Sequence, residues 1–397
     1  MDLDGLLARV IELGGSDMHL KVASPAMARV DGELVPLEER LLTDSDLETI
    51  VQLVTQLTPA KREAFYTNGE LDTAYMAQGL GRFRVNGFRQ RGAISFAFRF
   101  IPKEIPSFAR LGLPKGVQVL AEEHRGLVLV TGATGSGKST TLAAMINAIN
   151  RSRKHHIVTI EDPIEFVHDD WGCIVNQREV GIDTESYSEG LRRVLRQDPD
   201  VILLGELRDE ESSQAALRAA ESGHLVFSTL HTIDAAETIG RLVQYFPAEK
   251  HAMVRQVLAG VLRGVISQRL LPKVGGGRVA AVEVMVNTAR VADLVREGRT
   301  DEITEAIEDG DFHHMQSFSQ HLVQLVLAGL VEEEVAASAA SNRHDFEIAV
   351  QQALRRKKVA DEAAAEEAAA EAEQAADKAD PREEENEVRL RLASSDQ

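Results

Sequence analysis

The chain has 397 residues, 44% of them hydrophobic, and a formal net charge of -19 at pH 7. That length supports two or three domains with full apolar cores, and so large an acid excess argues against a nucleic-acid binder, whose usual footprint is a basic face. The single cysteine, Cys173, can build neither an internal disulfide nor a thiolate zinc cage, which suits a reducing cytoplasm.

Residues 1–101 mix short helices and strands. Residues 3–13 predict an amphipathic helix, and residues 43–57 another, with Thr43 as its cap and Asp46 in the capping-box position. Asp31-Gly32 sits between two apolar flanks and signals a hairpin. Charged and apolar residues then alternate from Gly81 to Phe88, and residues 94–101 continue the pattern, so a small α+β domain is expected. Residues 102–115 hold three of the chain's 11 prolines and read as a linker.

From 116 to about 271, apolar runs alternate with helical patterns, the signature of a parallel sheet covered by helices on both faces and hence of an α/β fold. The expected strands are 127–131, 157–160, 201–204 and 225–229, each ending in polar residues. Ligands of open α/β sheets sit beyond the carboxyl ends of the strands, so these ends should converge on one site. Residues 280–355 read as mainly helical. Within 356–397, residues 361–397 carry 13 acids and four bases, a charge of -9; this Ala/Glu-rich tail lacks a packing stripe and is expected to be solvated helix or disorder. No apolar stretch approaches ~18 residues, and the start Met1-Asp2-Leu3-Asp4 is acidic where a signal peptide is basic. The expectation is a chain neither exported by such a signal nor embedded in a membrane.

The most informative segment is Gly132-Ala133-Thr134-Gly135-Ser136-Gly137-Lys138-Ser139, a phosphate loop between an expected strand and a helix over 140–149. Its backbone N–H groups, from Thr134 through Thr140, would cradle a nucleoside triphosphate at the positive end of the helix dipole. Lys138 would reach the outer phosphates, and Ser139 would ligate Mg²⁺.

Strand 201–204 leads into Gly205-Glu206, and strand 157–160 into Glu161-Asp162-Pro163-Ile164-Glu165. Three carboxylates, Glu161, Glu165 and Glu206, therefore compete for two tasks, holding the metal's water shell and polarising the attacking water. Glu206 is the first choice for the metal, through water, but the residues alone do not order the three by role. His224 and His231 flank the last strand seven residues apart, a spacing that does not chelate one ion as a helical i, i+4 pair would. At the carboxyl end His231 is placed to sense the γ-phosphate; His224, at the other end, suits a structural or intersubunit contact.

The phosphate loop, the 159–165 box, the 198–206 box and Thr229-Leu230-His231-Thr232 occur in the order of the Walker A, Asp, Walker B and His boxes of the secretion ATPases. The chain resembles in particular the PilT/PilU-type twitching-motility motors, over roughly residues 5–345. Asn176-Gln177-Arg178-Glu179-Val180-Gly181, Phe246-Pro247-Ala248-Glu249 and Gly15-Ser16-Asp17-Met18-His19-Leu20 extend the likeness.

The resemblance implies a PAS-like N-terminal domain and a RecA-like ATPase domain. It also implies a homohexameric ring using ATP and Mg²⁺, and an arginine reaching the γ-phosphate from the neighbouring domain, with Arg82, Arg84, Arg89, Arg91 and Arg99 as candidates. It further implies an inner-membrane pilus platform protein as partner, with a paralogous motor as a second one, and work at the cytoplasmic face of that membrane. Two features depart from the family. The retraction motors carry a motif similar to A-I-R-N-L-I-R-E, whereas residues 290–297 here read R-V-A-D-L-V-R-E, which keeps open a PilU-like accessory role. The other departure is the acidic tail. Pilus-assembly and type II secretion ATPases share the four boxes but add a tetracysteine zinc site that one cysteine cannot supply. A nucleotide-gated modulator without turnover is the non-enzyme alternative, and a DNA-translocating relative fits the charge poorly.

Overall fold

The structure, a computed structural model, describes residues 1–101 and 104–359. The rest of the acidic tail, with the disorder expected of it, lies outside the described residues. Contacts divide the chain into two compact units, Met1–Leu271 with Arg278–His321, and Pro272–Gly277 with residues from Leu322 onward.

The first unit opens with helix α1 (Leu3–Glu12), capped by the Asp2 carboxylate. Leu3, Leu6, Leu7 and Val10 form its buried stripe, the i, i+3, i+4, i+7 set of an amphipathic helix. Strands β1 (Asp17–Lys21), β2 (Met27–Val30) and β3 (Glu33–Pro36) follow. Next come α2 (Asp44–Val54), α3 (Pro59–Asn68), and β4 (Glu70–Ala77), β5 (Gly81–Gln90) and β6 (Ala93–Ile101). Thr43 and Asp46 cap α2 reciprocally. Hydrogen bonds from Thr43, joined by the Arg40 guanidinium, hold the Asp46 carboxyl down at about 2. The six strands form an antiparallel sheet in the order β3-β2-β1-β6-β5-β4. On β5, buried Phe83 and Val85 alternate with Arg82, Arg84 and Asn86 on the other face.

Short helices α4 (Phe108–Leu111) and α5 (Lys115–Ala121) lead to a seven-stranded sheet. Its elements are β7 (Gly126–Thr131), α6 (Lys138–Ser152), β8 (His156–Glu161), β9 (Ile174–Glu179), α7 (Tyr187–Val194), β10 (Val201–Leu204), α8 (Glu210–Glu221), β11 (Leu225–Leu230), α9 (Ala235–Gln244), α10 (His251–Val261), β12 (Leu262–Pro272) and β13 (Arg278–Val286). Helices α11 (Ala289–Glu297) and α12 (Ile303–Glu308) come next. The order is β13-β12-β7-β11-β10-β8-β9, and β12 through β9 pair in parallel.

Leu127, Leu129, Ile160, Ile202 and Val226 face one core, with side chains of α7 to α12. Their neighbours Val128, Val130, Ile157, Leu203 and Phe227 face a second, with α5 and α6. Covering both faces explains the unbroken apolar runs, and each buried Leu, Val or Ile contributes about 1.5–3 kcal/mol. The α/β reading with a parallel sheet and a smaller N-terminal layer therefore holds. The second unit contains a turn of three positive-φ glycines, Gly275 to Gly277. It also holds the end of helix α13 (Phe318–Leu327), α14 (Glu333–Ala339), and a helix over 343–359.

The sequence reading of 280–355 as mainly helical fails for its first residues, which form β13. That run, Val279-Ala280-Ala281-Val282-Glu283-Val284-Met285, is buried on both faces, so it lacks the alternation that separates strand from helix. Strands β9 and β12 were also not anticipated; β9 lies at the sheet edge and four of its six residues, Asn176 to Glu179, are polar. Helix α6 begins at Lys138, two residues before the expected start.

Glu283 on β13 is only 4% exposed, and its Oε1 accepts the Ala235 N–H at 2.9 Å. Burial, aided by nearby Asp234, pushes its carboxyl up to about 7 from the ordinary 4.5. The native state thus holds the proton more tightly than the unfolded chain. The resulting stability is complete below pH ~4.5 and is lost as pH rises through about 7. Urea unfolding between pH 5 and 8 should show wild type losing stability relative to Glu283→Gln as pH rises; parallel profiles would refute this.

Candidate active site

The loop after β7 is shaped by three glycines with positive φ, Gly132 (138°), Gly135 (80°) and Gly137 (94°). At Gly132 a Cβ would lie 2.4 Å from the Gln268 carbonyl oxygen of β12, so no side chain fits there. Gly137 caps α6 in the left-handed region, with no side-chain cap bond. The first-turn N–H groups are therefore open to an anion. Lys138 is 9% exposed, and its ammonium donates to the carbonyls of Gly132 at 2.7 Å and Ala133 at 3.2 Å. Burial pulls its pKa down, opposed by Glu206 and Glu165.

The parallel register aligns Leu204 with Ile160 and Ser228, and Leu230 with Thr131. The turns at the carboxyl ends of these strands therefore meet at one cleft of about 470 Å³. Thr134, Gly135, Gly137, Lys138, Ser139 and Thr140 line it, with Glu161, Glu165, Glu206 and His231. Ser136, the remaining loop residue, is buried beneath. The expected nucleotide and carboxylate residues are thus brought together.

Their environments differ. The Glu206 carboxylate takes Arg208 Nη2 at 2.9 Å through Oε2 and His231 Nε2 at 3.2 Å through Oε1. The other imidazole nitrogen, Nδ1, stands 3.5 Å from Lys138 Nζ, so His231 bridges the lysine and the glutamate. Glu161 Oε1 accepts from the Thr159 hydroxyl at 2.6 Å and the Gln177 amide at 3.0 Å, and burial pushes its carboxyl up. Glu165 is exposed to the cleft. His224 lies elsewhere, its Nδ1 against Ser222 Oγ at 2.9 Å and the Ala219 carbonyl at 3.0 Å, at the end of α8.

The arginines divide by strand parity. Arg84 and Arg99 are direct cross-strand partners on β5 and β6, and both line the cleft of their own chain. Of the two, Arg99 alone pairs with a carboxylate among the described residues, its Nε 2.8 Å from Asp17 Oδ1. Arg89, five residues beyond Arg84, falls on the opposite face of β5, with its guanidinium over the Phe65 ring at 5.6 Å. Arg91 occupies the two-residue hairpin turn with φ of 51°. Neither Arg89 nor Arg91 lines the cleft of its own chain, and the period-two pattern around Phe83 and Val85 is the sequence signal that separates them from Arg84. Tyr187, Arg208, Leu270 and Arg278 also line the cleft and were missed. Arg208 follows Glu206 by two residues; Arg278 arrives from the unanticipated β13.

Residues 113–355 match the family model of the type II/IV secretion system proteins. PilT of Pseudomonas aeruginosa, named as a type IV pilus retraction ATPase, is 45% identical over 346 residues, which cover 87% of this chain and all of that protein.

This chain is a PilT/PilU-type secretion ATPase.

The type IV pilus ATPase PilU of the same organism is 39% identical over 352 residues, 88% of this chain and 91% of that protein. A crystal structure of the pilus retraction motor PilT with bound ADP superposes with a TM-score of 0.81 at 44% identity, covering 87% of this chain and 99% of that one. The phosphate loop of this secretion ATPase sits at the carboxyl edge of its parallel sheet and leads into the N-terminus of α6.

Two guanidinium groups directly opposite each other destabilise a strand pair by about 0.2–1 kcal/mol. Arg84→Ala should therefore leave the nucleotide-free protein as stable as wild type or slightly more so, while weakening ATP binding. Thermal unfolding together with a fluorescent-nucleotide titration checks this; a destabilised variant with unchanged ATP affinity would contradict it.

Proposed function

We propose that this ATPase works as a homohexameric ring at the cytoplasmic face of the inner membrane, where it hydrolyses ATP to drive type IV pilus retraction through a platform protein. The observation that carries the reading is that Arg84 and Arg99, from the antiparallel sheet, line the same cleft as Lys138, Glu206 and His231, which lie beyond the parallel strands. An anion held there is gripped from both sheets, so ATP and ADP favour different placements of one sheet on the other. The functional division then falls at 102–115, with the N-terminal domain (1–101) moving against the ATPase domain (116–355).

In this scheme the phosphate-loop N–H groups and Lys138 bind the β- and γ-phosphates, and Arg84 neutralises charge developing on the γ-phosphoryl, a contribution that reaches ~10³ to 10⁵ in rate in related chemistry. Among the described residues no group of three or more His, Cys, Asp or Glu could hold a metal. Mg²⁺ does not need one, because it keeps several waters and takes one or two protein oxygens beside the phosphates. Ser139 and Glu206, both at the cleft, fit that donor set, Glu206 through water. Bound there, the ion would offset charge on the phosphate oxygens. Glu206 is oriented by Arg208 and His231; Glu165, free to face the cleft, polarises the attacking water; Glu161 is occupied by Thr159 and Gln177 and acts as wall. His231, touching both Lys138 and Glu206, reports the γ-phosphate to the sheet. Arg89 and Arg91 enter only through a neighbouring subunit, since Arg89 lies roughly 16 Å along β5 from Arg84 at strand rise.

An accessory motor acting with a paralogue is the second reading. It is favoured by residues 290–297, which keep only the second half of the retraction motif. In α11 that half supplies the buried Leu294 and Val295, and Arg290 is tied to Asp309 at 2.8 Å.

Replacing Glu165 with Gln should lower phosphate release by about 10²-fold or more with ATP binding retained. In cells, deleting the gene should leave persistent, non-retracting pili under the microscope. Bald cells would instead indicate an assembly motor and overturn the retraction reading. Retraction that is lost only when a paralogous motor is also compromised would select the accessory role.

A further inference from the structure

Arg82 stands two residues before Arg84 on β5, on the same face of the strand. Its guanidinium pairs with Glu179 Oε2 at the end of β9, so the antiparallel sheet is pinned directly to the edge strand of the parallel one. The pair is enclosed, with side-chain exposures of 14% for Arg82 and 2% for Glu179. The same Glu179 oxygen also accepts the Ile164 N–H at 3.1 Å. Ile164 lies between Pro163 and Glu165, both of which line the nucleotide cleft. Glu179 Oε1 has no hydrogen-bond partner among the described residues, so this buried carboxylate relies on Arg82 and the Ile164 amide. Such a charge, left without its partner, is strongly unfavourable. A second contact reaches the chain just past Glu179, where the Lys61 side chain of α3 lies 3.0 Å from where a Cβ of Gly181 would be.

We infer that Arg82 and Glu179 form a positioning joint that sets Arg84 and the Glu165 loop in register with one another. One carboxylate oxygen holds both the strand that carries Arg84 and the backbone beside Glu165. A shift of the antiparallel sheet therefore moves the arginine and the acidic loop together. Neither Arg82 nor Glu179 touches the nucleotide in this scheme; both act through their neighbours. The inference rests on the proposal that Arg84 meets the phosphates.

The test is a double-mutant cycle on steady-state ATP turnover of the full-length assembly, with nucleotide affinity and thermal midpoint measured alongside. Arg82→Ala is expected to lower kcat by ten-fold or more in wild type and by less than two-fold in the Arg84→Ala background, because a misplaced Arg84 and a missing one are equivalent. Glu179→Gln keeps the size and the acceptor for Ile164 but loses the charge, and should match Arg82→Ala. Arg82→Lys, which retains a cation, should recover part of the activity even if Arg82→Ala folds poorly. Equal losses in both backgrounds, or a Glu179→Gln variant with wild-type kcat, would overturn the joint while leaving Arg84's role intact. An Arg84→Ala variant with wild-type turnover would overturn both.

Discussion

The in-register parallel pairing of β7, β11, β10 and β8 is the constraint on which the rest of the site depends. Four chain segments separated by up to a hundred residues end at one edge only because the pairing sets Thr131 level with Leu230, and Leu204 level with Ile160 and Ser228. The alignment is maintained by two apolar cores, one on each face of the sheet. A one-residue slip would exchange the two faces and carry every strand end out of place. The backbone turns beyond the strands are consequently fixed before any polar contact is made.

On that frame several of the charged groups are held by their neighbours. Lys138 is bound to the loop's own carbonyls, His231 links it to Glu206, and Arg208 takes the second Glu206 oxygen. Lys138 is the buried member of this series, and leaving its desolvated charge without partners would be costly, whereas His231 and Arg208 are about half exposed. Arg84 is placed differently, a cation set against another cation, Arg99, across the strand pair and lining the cleft. An anion completes its surroundings. The family likeness to nucleotide-driven motors thus has a local physical counterpart in a site whose charge balance is improved by a phosphate.

Several parts were legible because their physics is local. The Thr43 cap, the α1 stripe and the phosphate loop depend on residues within a few positions of one another, and all appear where the spacing puts them. The loop in particular needs glycine at Gly132 for steric reasons, although the neighbour that imposes them, Gln268 of β12, is 136 residues away. Strands β9 and β13 were not legible. One closes the sheet edge and is polar from Asn176 to Glu179, the other is buried on both faces, and in neither does side-chain periodicity report the backbone.

By itself the sequence determined the chemistry available: a triphosphate loop, three carboxylates and a histidine at strand ends, and a strand rich in arginine. Composition and motif order suffice for that, because each motif carries its own backbone geometry. Tertiary structure alone decided which of these groups meet. It set Arg84 opposite Arg99 at the cleft, tied up Glu161 while leaving Glu165 open, and brought Arg82 to Glu179 across 97 residues. Those outcomes depend on which faces are buried against which elements, a property of the packed chain rather than of any segment in it.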